Sequence, residues 1–209
     1  MMTNRSERLS LWVRLWHWMT ALSFIILTIT GIVLHFDGPE DTLPDYDSAT
    51  TLHDVSGIFM AALYGAHLVF MFGTGYWRQY VPSRENLWAR LKDQVIVYTV
   101  GSGDDQDAEP GARSRFNVLQ QLAYLIVVFA LLPLLIVTGL LYLYYPAVVP
   151  ETVLGLAGLW PLAFAHYALG ILGAAYLVVH VYMATVGPNA GASLRLMTVG
   201  RSTSPQRRS

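Results

Sequence analysis

The segment His166–His180, HYALGILGAAYLVVH, is apolar apart from its two ends, and each end is a histidine. The two histidines are 14 positions apart. At about 100° per residue, this separation is about 40° short of four full helical turns. Both imidazoles therefore project from nearly the same face of a helix, about 21 Å apart along its axis. That separation fits within a hydrocarbon core of about 30 Å. The segment therefore predicts one membrane helix that carries histidine ligands at two depths.

The composition is that of a membrane protein. Hydrophobic residues make up 54% of the 209 positions and charged residues only 13%, whereas a soluble domain carries about a quarter charged residues. The absence of cysteine excludes c-type haem attachment and cysteine-ligated iron–sulfur clusters. The net charge is −1 and no basic cluster interleaves with aromatic residues, so no nucleic-acid partner is expected.

Four apolar stretches are long enough to cross a bilayer. They predict spans at about 11–36, 52–77, 116–145 and 159–186. The predicted fold is all-α, a four-transmembrane-helix bundle that forms a single membrane domain over residues 1–209. Pro133 is expected to bend the third span.

The charge distribution predicts the orientation. All 13 Lys and Arg residues lie before or at the start of the first span, after the second or after the fourth, and loops 37–52 and 146–158 contain none. By the positive-inside rule, we expect both termini of this multi-pass protein to be cytoplasmic. The cytoplasmic connection 78–115 has an amphipathic part, 82–100, that predicts an interfacial helix anchored by Trp88, followed by a polar loop. Residues 187–209 are expected to form a cytoplasmic tail.

All of the histidines lie within or at the edge of the spans, where ionisable side chains are costly and usually functional. They are His17, His35, His53, His67, His166 and His180. The orientation places His53 and His166 near the outer face, whereas His17, His67 and His180 are nearer the cytoplasm. We expect His35 to lie in the outer headgroup layer.

The second and fourth spans share an internal repeat. HDVSGIFMAALYGAH, residues 53–67, matches residues 166–180 at both histidines and at several small residues. Two such parallel helices predict bis-histidine sites for two b-type haems, which transfer electrons because no coordination position of the iron stays open. Zinc or a di-metal centre would need carboxylates in the interior of the spans. The outer pair is His53 with His166. The inner site has His180 with either His67, which the repeat favours, or His17.

Several motifs share a resemblance to a known family. The first span opens with Arg14-Leu15-Trp16-His17-Trp18 and later has Thr30-Gly31. The third opens with Phe116-Asn117-Val118-Leu119-Gln120-Gln121 and later has Thr138-Gly139, and Leu194-Arg195-Leu196-Met197 follows the fourth. Together with the two histidines of the fourth span, these motifs resemble the bacterial di-haem cytochrome b family. Its members are the membrane subunits of nickel–iron hydrogenases, formate dehydrogenases (their gamma subunit) and thiosulfate-reductase-type complexes.

The resemblance implies a specific set of ligands. The inner haem would be held by His17 and His180 and the outer haem by His53 and His166, and His67 would become a second-shell donor. Arg14, one helical turn before His17, is placed to pair with a propionate of the inner haem. The family also places a quinone near the inner haem, where Asn117 and Gln120 or Gln121 are the candidate contacts.

The predicted function is electron transfer between a membrane quinone and an extracytoplasmic redox subunit. That partner would be an iron–sulfur protein, a multihaem cytochrome c, or a molybdenum or nickel–iron enzyme. One alternative is a stand-alone membrane quinol oxidase or reductase that passes electrons to oxygen, superoxide or ferric iron. Another is a four-helix membrane anchor whose histidines only pack.

Overall fold

The computed structural model describes residues 7–36, 45–82, 86–100, 118–145, 147–148, 150–153, 155–186 and 190–202. The helices are α1 (Leu11–Phe36), α2 (Tyr46–Thr74), α3 (Leu87–Val100), α4 (Val118–Ile126), α5 (Leu132–Leu143), α6 (Leu159–Val186) and α7 (Ala190–Val199), with a 3-10 helix at Tyr76–Gln79 and a π-helical segment at Val127–Leu131. The strands are β1 (Glu7–Arg8), β2 (Thr152–Val153), β3 (Leu156–Ala157) and β4 (Arg201–Ser202).

Within the described residues, four helical stretches are long and apolar enough to cross a membrane: Leu11–Phe36, Tyr46–Thr74, Gln121–Leu143 and Leu159–Thr185. The predicted all-α membrane fold with four spans is thereby confirmed, and α1 and α6 have the predicted bounds. The predicted polar loop over 101–114 lies outside the described residues.

Helix α2 begins six residues before the predicted span. Asp45 caps its N-terminus, because the carboxylate accepts a hydrogen bond from the backbone N–H of Ser48 at 2.8 Å. This hydrogen bond, together with that from the Ser48 hydroxyl, lowers the pKa of Asp45 below its ordinary value. A cap of this kind extends the helix through a polar first turn that an apolar pattern does not include.

The chain divides into two compact units, and the boundaries fall inside α2 and α5. One unit comprises residues 65–137. There the ring of buried Tyr80 lies 5.9 Å from Tyr76 and 6.3 Å from Tyr124, and burial raises the pKa of Tyr80.

The π-helical segment ends two residues before Pro133, which has no N–H for the regular helical bond. In α3, Trp88 is 83% exposed, and its role as an interfacial anchor stays a prediction.

The other unit comprises residues 1–64 and 138–209. Strand β1, just before α1, pairs antiparallel with β4, just after α7, so that Glu7 faces Ser202 and Arg8 faces Arg201. These two segments therefore lie on the same side of the unit, as an even number of spans requires. Helix α7 lies within the predicted cytoplasmic tail, where the sequence had suggested no element.

The orientation can be checked with introduced cysteines, because the chain has none of its own. We expect Glu151→Cys, at an exposed position of the predicted outer loop, to react with a membrane-impermeant maleimide added to spheroplasts. Lys92→Cys, at an exposed position of α3, should react only after the membrane is permeabilised. The opposite labelling pattern would contradict the orientation, and labelling of both variants in detergent is the control.

Candidate functional site

The first candidate site is formed by His53 of α2 and His166 of α6. Their ring centroids are 6.2 Å apart and their planes are 81° apart. Each ring has a threonine at its Nδ1 atom: Thr30 Oγ1 lies 2.9 Å from His53 Nδ1, and Thr138 Oγ1 lies 2.9 Å from His166 Nδ1. We call these two histidines the outer pair.

The contacts of Thr30 determine the tautomer of His53. The Thr30 hydroxyl donates its proton to the Ile26 carbonyl at 2.8 Å, so its oxygen accepts a hydrogen bond from the N–H at His53 Nδ1. The lone pair of a neutral imidazole is then on Nε2, which is the arrangement of a metal-binding histidine oriented by an outer hydrogen bond. Thr138 Oγ1 lies at the same distance from His166 Nδ1 as Thr30 Oγ1 does from His53 Nδ1.

A glycine follows each of these threonines and lets the helix backbone approach the histidine. A Cβ atom on Gly139 would lie 3.1 Å from His166 Cε1, and one on Gly31 would lie 3.5 Å from His53 Cε1. The dipeptides Thr30-Gly31 and Thr138-Gly139 therefore perform the same local task twice. Sequence reasoning used them only as motifs of a resemblance and missed that the hydroxyls orient the histidines.

The second candidate site is formed by His17 of α1 and His180 of α6, which we call the inner pair. Their ring centroids are 6.1 Å apart. Tyr176 stacks on His180 with a centroid distance of 5.6 Å, and the Trp18 ring meets His17 edge-on at 5.2 Å. Among the described residues, the buried Nδ1 of His17 has no hydrogen-bond partner. Helix α6 thus places each of its two histidines opposite a histidine of another helix.

The remaining candidate histidines lie elsewhere. His67 is fully buried in the unit of residues 65–137, with its ring centroid 6.1 Å from that of Phe70. His35 is exposed and stacks on Tyr167 at 4.0 Å.

The predicted polar contacts of a haem propionate and a quinone have local roles in the structure. The Arg14 guanidinium donates to the backbone carbonyls of Met197 and Thr198. Gln121 is 1% exposed, and its Nε2 donates to the Gln79 carbonyl at 3.0 Å. Asn117 and the side chain of Gln120 lie outside the described residues.

Both histidine pairs have the dimensions of a two-imidazole metal site. With metal–nitrogen bonds of about 2 Å, two imidazoles on opposite sides of one metal ion hold their centroids about 6 Å apart. No group of three or more His, Cys, Asp or Glu residues that could hold a metal ion occurs in the described part of the chain. A donor set of two opposed imidazoles fits the axial positions of a haem iron, whose other four ligands come from the macrocycle.

Residues 8–200 match a family model described as prokaryotic cytochrome b561. The chain belongs to the prokaryotic cytochrome b561 family. Among its relatives is "Putative cytochrome YdhU" of Escherichia coli (strain K12), which is 31% identical over 203 residues, or 95% of this chain and 76% of that protein. The resemblance inferred from the motifs is confirmed. The protein described here is thus a multi-pass b-type cytochrome of the bacterial inner membrane, and its family acts in electron transfer.

The two glycines make a graded prediction for this cytochrome. Gly139→Ala should lower the haem b content per chain, because the added methyl group must displace the His166 ring, and such crowding costs roughly 1–3 kcal/mol. Gly31→Ala should have less effect, since its methyl group would be at ordinary contact distance. The measurement is the pyridine haemochrome absorbance per purified chain. Gly73→Ala is the control, because nothing lies within 4 Å of its added Cβ and it lies on the face of α2 opposite His53; equal haem loss in all three variants would contradict the prediction.

Proposed function

We propose that the outer pair and the inner pair are the axial ligands of two haem b groups. The observation that carries this proposal is that one helix, α6, places His166 and His180 each opposite another imidazole, at centroid distances of 6.2 and 6.1 Å. Family membership supplies the cofactor class, and the paired geometry supports the number of haems and their ligands.

The residues of the chain hold and orient the cofactors. Haem b, when bound, supplies reversible one-electron chemistry at its iron. The threonines at the outer pair fix Nδ1 as the donor nitrogen and leave Nε2 for the iron. Because two imidazoles fill both axial positions, the arrangement favours electron transfer over oxygen binding. An oxidase that binds oxygen at an open position of the haem iron therefore receives no support from the site.

His17 is the inner ligand in this proposal. Its support is the ring contact with His180 across α1 and α6. The internal repeat alone favours His67, which lies in the other compact unit. In this proposal His67 is not a ligand of the inner haem, and the comparison of two alanine variants below distinguishes the two assignments.

The electron path that we propose begins or ends at a membrane quinone on the cytoplasmic side. The support is Gln121, whose Oε1 atom is buried and has no hydrogen-bond partner among the described residues. Such an acceptor can receive a hydrogen bond from a quinol hydroxyl. Because Gln121 is 1% exposed, the neighbouring side chains must move to admit a quinone. Asn117 remains the second proposed contact.

At the other end we propose an extracytoplasmic redox subunit of a respiratory oxidoreductase complex. This partner would be an iron–sulfur protein, a multihaem cytochrome c, or a molybdenum or nickel–iron enzyme. The support is electrostatic: loops 37–52 and 146–158 contain no Lys or Arg, and Asp45, Asp47 and Glu151 are exposed. A partner with a basic docking face would be steered to such a surface.

The haem assignment can be tested spectroscopically. We expect a dithionite-reduced minus oxidised spectrum of b type and two haems per purified chain by pyridine haemochrome. His53→Ala and His166→Ala should each remove one haem, and so should His17→Ala and His180→Ala. His67→Ala should keep both haems. The absence of b-type absorbance would overturn the proposal, whereas loss of a haem in His67→Ala with retention in His17→Ala would reassign the inner ligand.

The threonine contacts predict a change in the outer haem alone. Thr30→Val or Thr138→Val removes an acceptor at Nδ1, which makes the imidazole a poorer donor to ferric iron, so the midpoint potential of the outer haem should rise. Loss of such a partner typically weakens metal binding about 10- to 100-fold. The control is Thr28→Val, since among the described residues the Thr28 hydroxyl bonds only to the Phe24 carbonyl of its own helix, at 2.8 Å. A potentiometric titration that matches the wild type would contradict the role of the threonines.

A further inference from the structure

The C-terminal end of α7 is bound by side chains of α1. The Met197 carbonyl accepts hydrogen bonds from Arg14 Nε at 3.3 Å and from Trp18 Nε1 at 3.2 Å. The Thr198 carbonyl accepts another from the Arg14 guanidinium. The last carbonyls of a helix lack partners within that helix, and a cation near them is favoured by the helix dipole. Arg14 and Trp18 therefore supply hydrogen-bond donors to carbonyls that have no partner within α7.

Gly200 completes this contact and is required for two reasons. Its φ of 79° is in the left-handed region, and its N–H bonds to the Leu196 carbonyl at 3.1 Å, which is the usual closure of a helix by glycine. A Cβ on Gly200 would also collide with the Arg14 guanidinium. The Gly200 carbonyl in turn accepts from the N–H of Leu9 at 3.2 Å. The end of α7 is thus joined both to α1 and to the segment before it.

The position of this contact relates it to the inner pair. Arg14 lies one turn before His17 on α1, and Trp18 is its immediate neighbour. Helix α7 follows α6, the helix of His180, and packs against it. The two helices that carry the inner pair are therefore connected a second time, through α7 and its bonds to α1.

We propose that Arg14 and Trp18 are positioning residues for the inner pair. By binding the carbonyl groups at the end of α7 they make α7 a brace that holds His17 at its distance from His180. The inference rests on the proposed function for its haem measurements. The contact between α7 and α1 can be measured without haem, by amide exchange. It gives Arg14 a role different from that of a propionate partner.

The experiment uses the full-length protein in detergent and three substitutions that weaken the brace in different ways. Trp18→Phe keeps an aromatic ring and removes the donor. Arg14→Lys keeps the positive charge and loses the planar set of donors that reaches two carbonyls. Gly200→Ala leaves both side chains unchanged and disturbs the helix end. The controls are Arg195→Lys, at an exposed position of α7, and Trp160→Phe, at an exposed position of α6.

We expect all three variants to change the inner haem and leave the outer haem as in the wild type. In potentiometric titration and low-temperature electron paramagnetic resonance, one of the two haem signals should shift or broaden. The fraction of that haem that is retained during gel filtration should be lower in each variant than in the wild type. The controls should match the wild type.

Two outcomes would overturn the proposal. Wild-type spectra and titrations in Trp18→Phe and Gly200→Ala would show that the brace does not position the inner pair. A change confined to an Arg14→Gln variant, with Arg14→Lys and the other two normal, would show that the charge of Arg14 acts on the haem directly.

Hydrogen–deuterium exchange separates failure of the brace from failure of the proposed function. The amides of Gly200 and Leu9 should exchange faster in all three variants than in the wild type, because both amides bond at this helix end. Faster exchange without any bound haem would retain the brace and reject the haem ligands. Unchanged exchange in every variant would reject the brace itself.

Discussion

An imidazole inside a membrane has two nitrogen atoms and no water to satisfy them, and this constraint shapes the unit that carries both histidine pairs. At the outer pair the Nδ1 atom of each ring is bound to a threonine of a further helix. The other nitrogen is left for a ligand between the rings. At each contact the helix must bring a hydroxyl to the Nδ1 atom and let its backbone approach the same ring. A threonine followed directly by a glycine does both, at Thr30-Gly31 and at Thr138-Gly139.

The two ends of this arrangement are stabilised differently. At the outer pair the supporting groups are side-chain hydroxyls within the spans, so the geometry is determined locally. At the inner pair the described contacts are aromatic: Tyr176 stacks on His180, and Trp18 meets His17. Further support comes from α7, outside the spans. Haems bound in such unlike surroundings would differ in potential.

Much of the fold follows from the sequence, and its failures have physical causes. The apolar pattern predicts α1 and α6 closely, because apolar residues reach both ends of each of these helices. It misses the start of α2, because that turn is polar and depends on a cap by Asp45. It misses α7, which is short and depends on Arg14 and Trp18, almost the whole chain away. The helix periodicity gives His166 and His180 a common face, but depth alone cannot choose between His17 and His67, because the choice depends on how side chains meet across helices.

The pairing of β1 with β4 has a consequence for the order of assembly. Arg14 and Trp18 emerge from the ribosome early. The Met197 and Thr198 carbonyls to which they bond emerge about 180 residues later. At about 5–20 residues per second, the first helix waits roughly ten to forty seconds in the membrane before α7 can bind it. The outer pair can form as soon as α6 has inserted. The end of the unit that holds β1, β4 and the C-terminus of α7 is therefore the last part to close.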